Sequence, residues 1–388
     1  MTMKYKLLYS IYRNTAIRSV AQWAALPVIV SACLTCQALN AKELNPDVSV
    51  VLDALYIQNA FALGHGGPGF APGHNELSFG APIDDLFNGR LTTVIESHEN
   101  ETELGLEEAF IQTSSLGNGI TVKAGRFLSN IGYLNRQHTH SDNFSTRPAV
   151  YRALLGSHYF DDGIQLGLTL PTDFYWHLSA EAFQGEGVSS EEGVGLYAFS
   201  TKVGGDISIS QSWQAGVSYM NNQSPLVESD DHDDEGGEHD HAGHSHGLSY
   251  YGENLYAADL VWKWAPKGNN RQQQVSLSAE YFYVDDLNEF ATKDDFHEGW
   301  YTSAVWQFSP QWSTGLRYGE VDLQQPHGDH FHNQTLQESD WMLSYAHSHF
   351  STIRLHYMHQ SGEGFTDIDN TLMLQYVMSF GEHGAHEF

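Results

Sequence analysis

Cysteine and basic residues are both scarce in this chain. Its 2 cysteines, Cys33 and Cys36, fall in the first 41 residues, a stretch with Lys4, Lys6, Arg13 and Arg18, no acid, and a mainly apolar run from about Val20 to Leu34. That is the plan of a secretory signal. Cleavage after Ala38 or Ala41 leaves an exported chain without cysteine, which excludes disulfides and thiolate metal sites. Val30-Ser31-Ala32-Cys33 can also be read as a lipoprotein box, which would leave an acylated cysteine at the mature N-terminus. Removing the leader takes 4 of the 18 basic residues, so 14 face 48 acids, a formal charge of −34 against −30 for the whole chain with histidine neutral. Such a surface repels nucleic acid and anionic substrates and attracts cations.

Long apolar runs are missing as well. No stretch after the leader approaches the roughly 18 to 20 apolar residues of a spanning helix, so a membrane protein of this sequence has to be a barrel. What is abundant fits one: 13% aromatic residues, 20 of them tyrosine, 36 glycines, and only 17% charged residues.

Apolar residues recur with period two in segment after segment. Val48, Val50, Leu52, Ala54 and Tyr56 alternate with Ser49, Val51 and Asp53, and Ile164, Leu166, Leu168 and Leu170 with Gln165, Gly167 and Thr169. Tyr256, Ala258, Leu260, Trp262 and Trp264 are set against Asp259 and Lys263 in the same way. The pattern predicts about sixteen strands, near 48–57, 76–82, 89–96, 103–112, 119–127, 163–170, 175–183, 196–208, 213–220, 254–264, 273–284, 299–308, 312–321, 340–346, 351–359 and 371–380. Glu107 and Glu108 put a carboxylate on either face of the fourth strand, which points to a bulge or a register change there. Strand lengths of about 9 to 11 residues with aromatics near the ends match an outer-membrane barrel. A soluble β-sandwich would share the period but turn its polar face outward. The connections alternate short and long, as periplasmic turns and extracellular loops do. The fold class read from this is all-β: a transmembrane antiparallel β-barrel over 42–388 with long extracellular loops, after a signal peptide at 1–41. Outer-membrane lipid and lipopolysaccharide are then its surroundings. The aromatic last strand, ending at Phe380, is the feature by which the barrel-assembly machinery would take it up.

The densest chemistry lies in the long connection 221–253, on the extracellular side. Residues 228–247 hold five histidines, His232, His239, His241, His244 and His246, among acids that include Glu238 and Asp240. Imidazole and carboxylate are ligands of zinc and related divalent metals. His239-Asp240-His241 and His244-Ser245-His246 are two His-X-His pairs joined by Ala242-Gly243, loose enough to close around one ion. Zn2+, transported or loosely bound, is the expected ion, with Ni2+ and Cu2+ as alternatives. A merely solvated loop would need no such density of histidine. Capture should weaken below about pH 6.5, since a ligand must be deprotonated to coordinate.

Other loops carry the theme more thinly: His65 and His74 in the first, His98 in the second, His138 and His140 in the third, His297 in the sixth, and His327, His330 and His332 in the seventh. Taken singly each reads as a surface histidine; together they would make a cation-attracting mouth. His383 and His386 fall at the periplasmic end. The third loop, from about Leu128 to Asp162, lacks period two and carries Arg126, Arg136, Arg147 and Arg152 beside Tyr133 and Tyr151; it reads either as a segment folded into the pore or as an external lid. Parity turns Asp53, Arg90, Lys123, Glu181, Asp259, Lys263, Glu280 and Arg317 toward the lumen. No enzyme constellation, phosphate loop, HExxH or CxxC is present.

Asn45-Pro46-Asp47-Val48-Ser49-Val50-Val51-Leu52-Asp53, the stretch Leu104 to Tyr133 with Lys123-Ala124-Gly125-Arg126-Phe127, Tyr151-Arg152-Ala153-Leu154-Leu155-Gly156, and the ending Met378-Ser379-Phe380-Gly381-Glu382-His383-Gly384-Ala385-His386 resemble proteobacterial outer-membrane proteins labelled zinc-regulated or TonB-dependent receptors. The resemblance implies induction under zinc limitation and a role in zinc entry. A full receptor of that kind has about 22 strands of roughly 10 residues and a plug besides. The 347 residues left when 41 are removed from 388 do not hold both, so a porin-like, plug-less channel is expected. The competing expectation is a metal-binding surface or receptor protein whose barrel is a closed anchor, or a TonB-linked receptor lacking the usual plug. A periplasmic zinc-binding protein would be the next carrier in the first case. Deleting residues 228–247 is expected to lower the number of zinc ions bound per chain in a titration; equal binding would remove the tract from the account.

Overall fold

A computed structural model describes residues 46–64, 67–98, 101–114, 116–226, 250, 252–327 and 330–381. The chain forms β1 (Asp47–Ile57), β2 (Gly69–Pro72), β3 (Asn75–Pro82), β4 (Phe87–His98), β5 (Glu101–Thr113), β6 (Ile120–Leu128), β7 (Phe160–Thr169), β8 (Tyr175–Phe183) and β9 (Leu196–Ser208). It continues with β10 (Gln211–Asn222), β11 (Asn254–Trp264), β12 (Gln274–Asp285), β13 (His297–Gln307), β14 (Trp312–His327), β15 (His330–Ser348), β16 (Ser351–Glu363) and β17 (Asn370–Gly381). From β3 on, each strand pairs antiparallel with the next, and β1 pairs with both β3 and β17, which closes the barrel. The short β2 lies beside the upper half of β1 and continues the line of β3. The wall therefore has sixteen strands, with β2 and β3 as one interrupted strand.

Alternation places the apolar residues outward. Leu52, Leu166, Val217, Leu260 and Leu316 are exposed on the wall, with Tyr56, Tyr256, Trp306 and Trp312 near the strand ends. A face with that band and those girdles needs lipid rather than water around it. The inward face is polar and charged: Asp53, Glu181, Lys202, Asp259, Glu280, Arg317, Glu338, Asp340 and Arg354 are all buried. Asp53, Glu181, Asp259, Glu280 and Arg317 thus face inward as parity requires.

Two expectations about connections are revised. The seventh loop, expected over 322–339, is largely a hairpin: β14 and β15 stay paired from Trp312↔Tyr345 up to His327↔His330. The polar residues of this segment interrupted the outward apolar pattern, yet the backbone ladder continues beyond the lipid band. His297 is no loop residue either; it opens β13, fully buried, and its Nδ1 accepts the Gln324 backbone N–H at 3.1 Å.

The third loop folds inward, so the external-lid alternative falls away. Residues 129–159 are buried or half-buried except Asn143, and they include two 3-10 turns, Leu134–Arg136 and Thr139–Ser141, and one short helix, α1 (Ala149–Leu154). Val150, Tyr151 and Leu154 of α1 belong to an apolar cluster with Phe282, Tyr301 and Val321 of the wall. Polar groups pin the rest. Glu280 accepts the backbone N–H groups of Tyr133 at 2.6 Å and Leu134 at 3.2 Å and the Tyr151 hydroxyl at 2.9 Å. Arg152 meets Glu338 at 2.6 Å, Arg317 donates to the Thr146 carbonyl at 2.8 Å, and Arg354 donates to the Asp142 carbonyl at 2.7 Å. At Gly132 the loop passes so close that a Cβ would stand 2.5 Å from the Tyr151 hydroxyl, and its φ of +62° is one that glycine adopts freely.

Removing one partner of a buried ion pair costs about 3 to 5 kcal/mol because the other charge is stranded. Arg152→Ala should therefore loosen the loop inside an intact barrel. Limited proteolysis of the refolded protein is expected to cut within 129–159 in the variant and not in the wild type; equal protection would show that this pair does not hold the loop.

Candidate metal centre in the lumen

Two irregularities of the wall bring carboxylates and imidazoles together. In the β4–β5 ladder Thr92 pairs with Glu108 and Thr93 with Leu106, so Glu107 is an extra residue, a β-bulge. Because of it Glu107 and its neighbour Glu108 both turn inward, at 2% and 5% exposure, where a regular strand would send one to the lipid. The second irregularity lies between β2 and β3. Ala54 pairs with Pro72 and Val51 with Glu76, so Leu52 and Asp53 face three residues, Gly73, His74 and Asn75. The kink is tight: a Cβ on Gly73 would lie 2.3 Å from the Asp53 carboxylate. The Asn75 side chain accepts the Asp53 N–H at 2.9 Å and secures it. His74 is thereby set beside Glu76.

The inward loop supplies the other half. His74 Nε2 stands 3.3 Å from Glu76 Oε1 and 3.3 Å from Glu107 Oε1. His138 Nδ1 lies 3.1 Å from Glu107 Oε2 and 3.4 Å from Glu76 Oε2, while its Nε2 lies 3.3 Å from Glu108. His140 Nδ1 meets Glu76 Oε1 at 2.7 Å, and His158 Nε2 meets Glu107 Oε1 at 3.1 Å. Four imidazoles and three carboxylates thus share one buried volume. Glu76, His138 and His140, and again His74, Glu76 and Glu107, offer ligand atoms within 4.8 Å of one another. Donors held at about 2.0–2.1 Å around a tetrahedral zinc ion stand about 3.3 Å apart, so most of these separations already suit a bound ion.

Electrostatics favour a cation here. Burial alone would depress the pKa of the His138 imidazole, but Glu107 and Glu76 beside it push it well above the ordinary histidine value. A divalent cation can take over the role of that proton against the same carboxylates. A cavity of about 180 Å³, lined by His74, Thr139, Arg147 and His158 among others, adjoins the cluster from the side of β1 and β2.

The seven residues expected from sequence to bind metal, His232, Glu238, His239, Asp240, His241, His244 and His246, lie outside the described residues, as do His65, His383 and His386. Of the remaining loop histidines, His74, His138 and His140 converge in the lumen, a correction to their reading as surface residues. His330 and His332 are exposed on β15. Sequence reasoning did not single out His158 or Glu76. For Glu76 the signal was present: it has the parity opposite to Phe79 on one strand. His158 had none, because its place depends on the path of the loop.

No protein family model matches the chain. An uncharacterized protein of Aquifex aeolicus is 27% identical over 90% of this chain and 81% of its own length. Among solved structures, the chain is similar to a loop-deletion mutant of the outer membrane protein OmpT of Vibrio cholerae, with a TM-score of 0.58 and 9% identity over 87% of this chain and 99% of that one. It is likewise similar to the outer membrane channel DcaP of Acinetobacter baumannii, at 0.51 and 12% over 87% and 97%, and to an anion-selective porin from Comamonas acidovorans, at 0.54 and 10% over 88% and 100%.

Glu76→Gln and Glu107→Gln, each in a full-length chain whose five tract histidines are serine, should weaken zinc binding at least about tenfold, the lower end of what disturbing a metal site costs. Calorimetric titration reads the effect, and unchanged affinity would mean that the cluster holds no metal. With the lipid-facing band, the closed sixteen-strand wall and the inward third loop, the chain has the porin-like fold of a bacterial outer-membrane β-barrel.

Proposed function

We propose that this barrel admits divalent transition-metal cations, zinc foremost, across the outer membrane through a lumen narrowed by the third loop. The observation that carries the reading is the convergence of His74, His138, His140 and His158 on Glu76 and Glu107 inside the wall. Imidazole with carboxylate suits zinc, nickel and copper better than calcium or magnesium, which prefer all-oxygen sites. The acid excess of the chain favours cations at the entrance. The 228–247 tract would concentrate them there, and the blocks similar to zinc-regulated outer-membrane proteins favour zinc among the candidates. A periplasmic zinc-binding protein would take the ion onward. The anion selectivity named for the porin from Comamonas acidovorans is not expected here.

A second reading also draws support. The third loop is tied to β8, β12, β14, β15 and β16 at once, the arrangement of a barrel that stays closed at rest and serves as a metal-binding anchor or an energy-coupled receptor. Flux separates the two. Liposomes carrying the refolded full chain and a trapped zinc-sensitive dye should brighten faster in zinc than protein-free liposomes, and Glu76→Gln should slow the signal. No zinc entry above the protein-free rate would contradict the channel reading and favour the closed barrel.

A further inference from the structure

We infer that the luminal cluster holds two divalent cations side by side, bridged by Glu76 and Glu107; this rests on the metal-uptake reading and specifies its site. The donor atoms fall into two sets. On the side of the loop's second 3-10 turn, His138 Nδ1 and His140 Nδ1 face Glu76, and His138 Nδ1 also faces Glu107 Oε2. On the side of the β2–β3 kink and the end of the loop, His74 Nε2 and His158 Nε2 face Glu107 Oε1, and His74 Nε2 also faces Glu76 Oε1. Glu107 therefore turns Oε2 to the first set and Oε1 to the second, while Glu76 turns Oε2 to the first and shares Oε1 between His140 of the first and His74 of the second.

That is the donor pattern of a carboxylate-bridged pair, two imidazoles to an ion with shared acids between, in which the ions stand roughly 3.5–4 Å apart. A single tetrahedral ion takes four donors, so it would leave three of the cluster's seven side chains uncoordinated. Charge sets the order of filling. The first ion meets three carboxylates, Glu76, Glu107 and Glu108, with Arg90 3.8 Å from the last and 42% exposed. The second ion arrives beside the first and weakens it by repulsion. A permeation site needs this, because binding must favour entry and still allow departure, and adjacent sites let one ion displace another. The second set borders the cavity by His74 and His158, so it is the face at which ions exchange.

The test uses the refolded full-length chain with the five tract histidines replaced by serine, so that ions held by those histidines are not counted. Equilibrium dialysis against zinc should give two ions per chain, and His140→Ala and His158→Ala, which touch opposite sets, should each give one. Circular dichroism checks that both variants keep the barrel. Cobalt in place of zinc should show magnetically coupled ions by electron paramagnetic resonance in the parent chain and uncoupled cobalt in either variant. One ion per parent chain, or two ions without coupling, would overturn the bridged pair while leaving a single-ion route intact. No luminal ion at all would overturn the pair and the metal-uptake reading together.

Discussion

Everything in this barrel depends on neutralising the charges that the inner wall buries. Glu280, Glu338, Asp340, Arg317 and Arg354 point into a space where water is largely displaced, and an unpaired charge there costs several kcal/mol. The wall satisfies part of this itself: Arg317 meets Asp340 at 2.7 Å, and Asp340 meets His356 at 2.9 Å. The remainder comes from the third loop, through Arg152, the backbone N–H groups of Tyr133 and Leu134, and the carbonyls of Thr146 and Asp142. The loop in turn finds on the wall a partner for Arg152 in Glu338, while its Arg147 pairs within the loop with Asp142 at 2.8 Å, nine-tenths and more out of solvent. Wall and loop are each incomplete without the other.

The same docking generates the candidate site. The wall contributes carboxylates through the bulge at Glu107 and one imidazole through the kink at Gly73, both local departures from a regular ladder. Three imidazoles come from the loop. Neither half is a site by itself: the wall half is a group of like charges that would repel one another, and the loop half is three histidines near two ends of one segment. Their meeting converts a costly concentration of carboxylate into a place for a cation. It also explains why a bulge that spoils the lipid-facing alternation can persist in a membrane strand. With both Glu107 and Glu108 turned inward, neither of these carboxylates faces lipid.

Much of this was legible from the amino-acid order. Alternation such as that of Leu260 and Asp259 gave the strands and their faces, because a side-chain period of two against lipid leaves little freedom. The conflict at Glu107 and Glu108 announced the bulge. The hairpin of β14 and β15 was hidden, since beyond the lipid band a ladder needs no outward apolar residues and Gln324, Asn333 and Gln334 look like loop. The meeting of His74 with His138 and Glu107 was hidden for a different reason: parity says which face a residue takes, and says nothing of what a thirty-residue loop brings against it. The histidine-dense segment 228–247, the loudest signal in the chain, lies outside the described residues, while the quieter histidines make up the candidate site.

The central claim is that a metal ion is coordinated inside the barrel where the third loop meets the bulged wall. Anomalous diffraction at the zinc edge from crystals of the zinc-loaded full-length protein tests it most directly. The account predicts anomalous density between Glu76 and Glu107, within coordination distance of the loop and wall histidines. Well-measured data with no anomalous density in the lumen would contradict it.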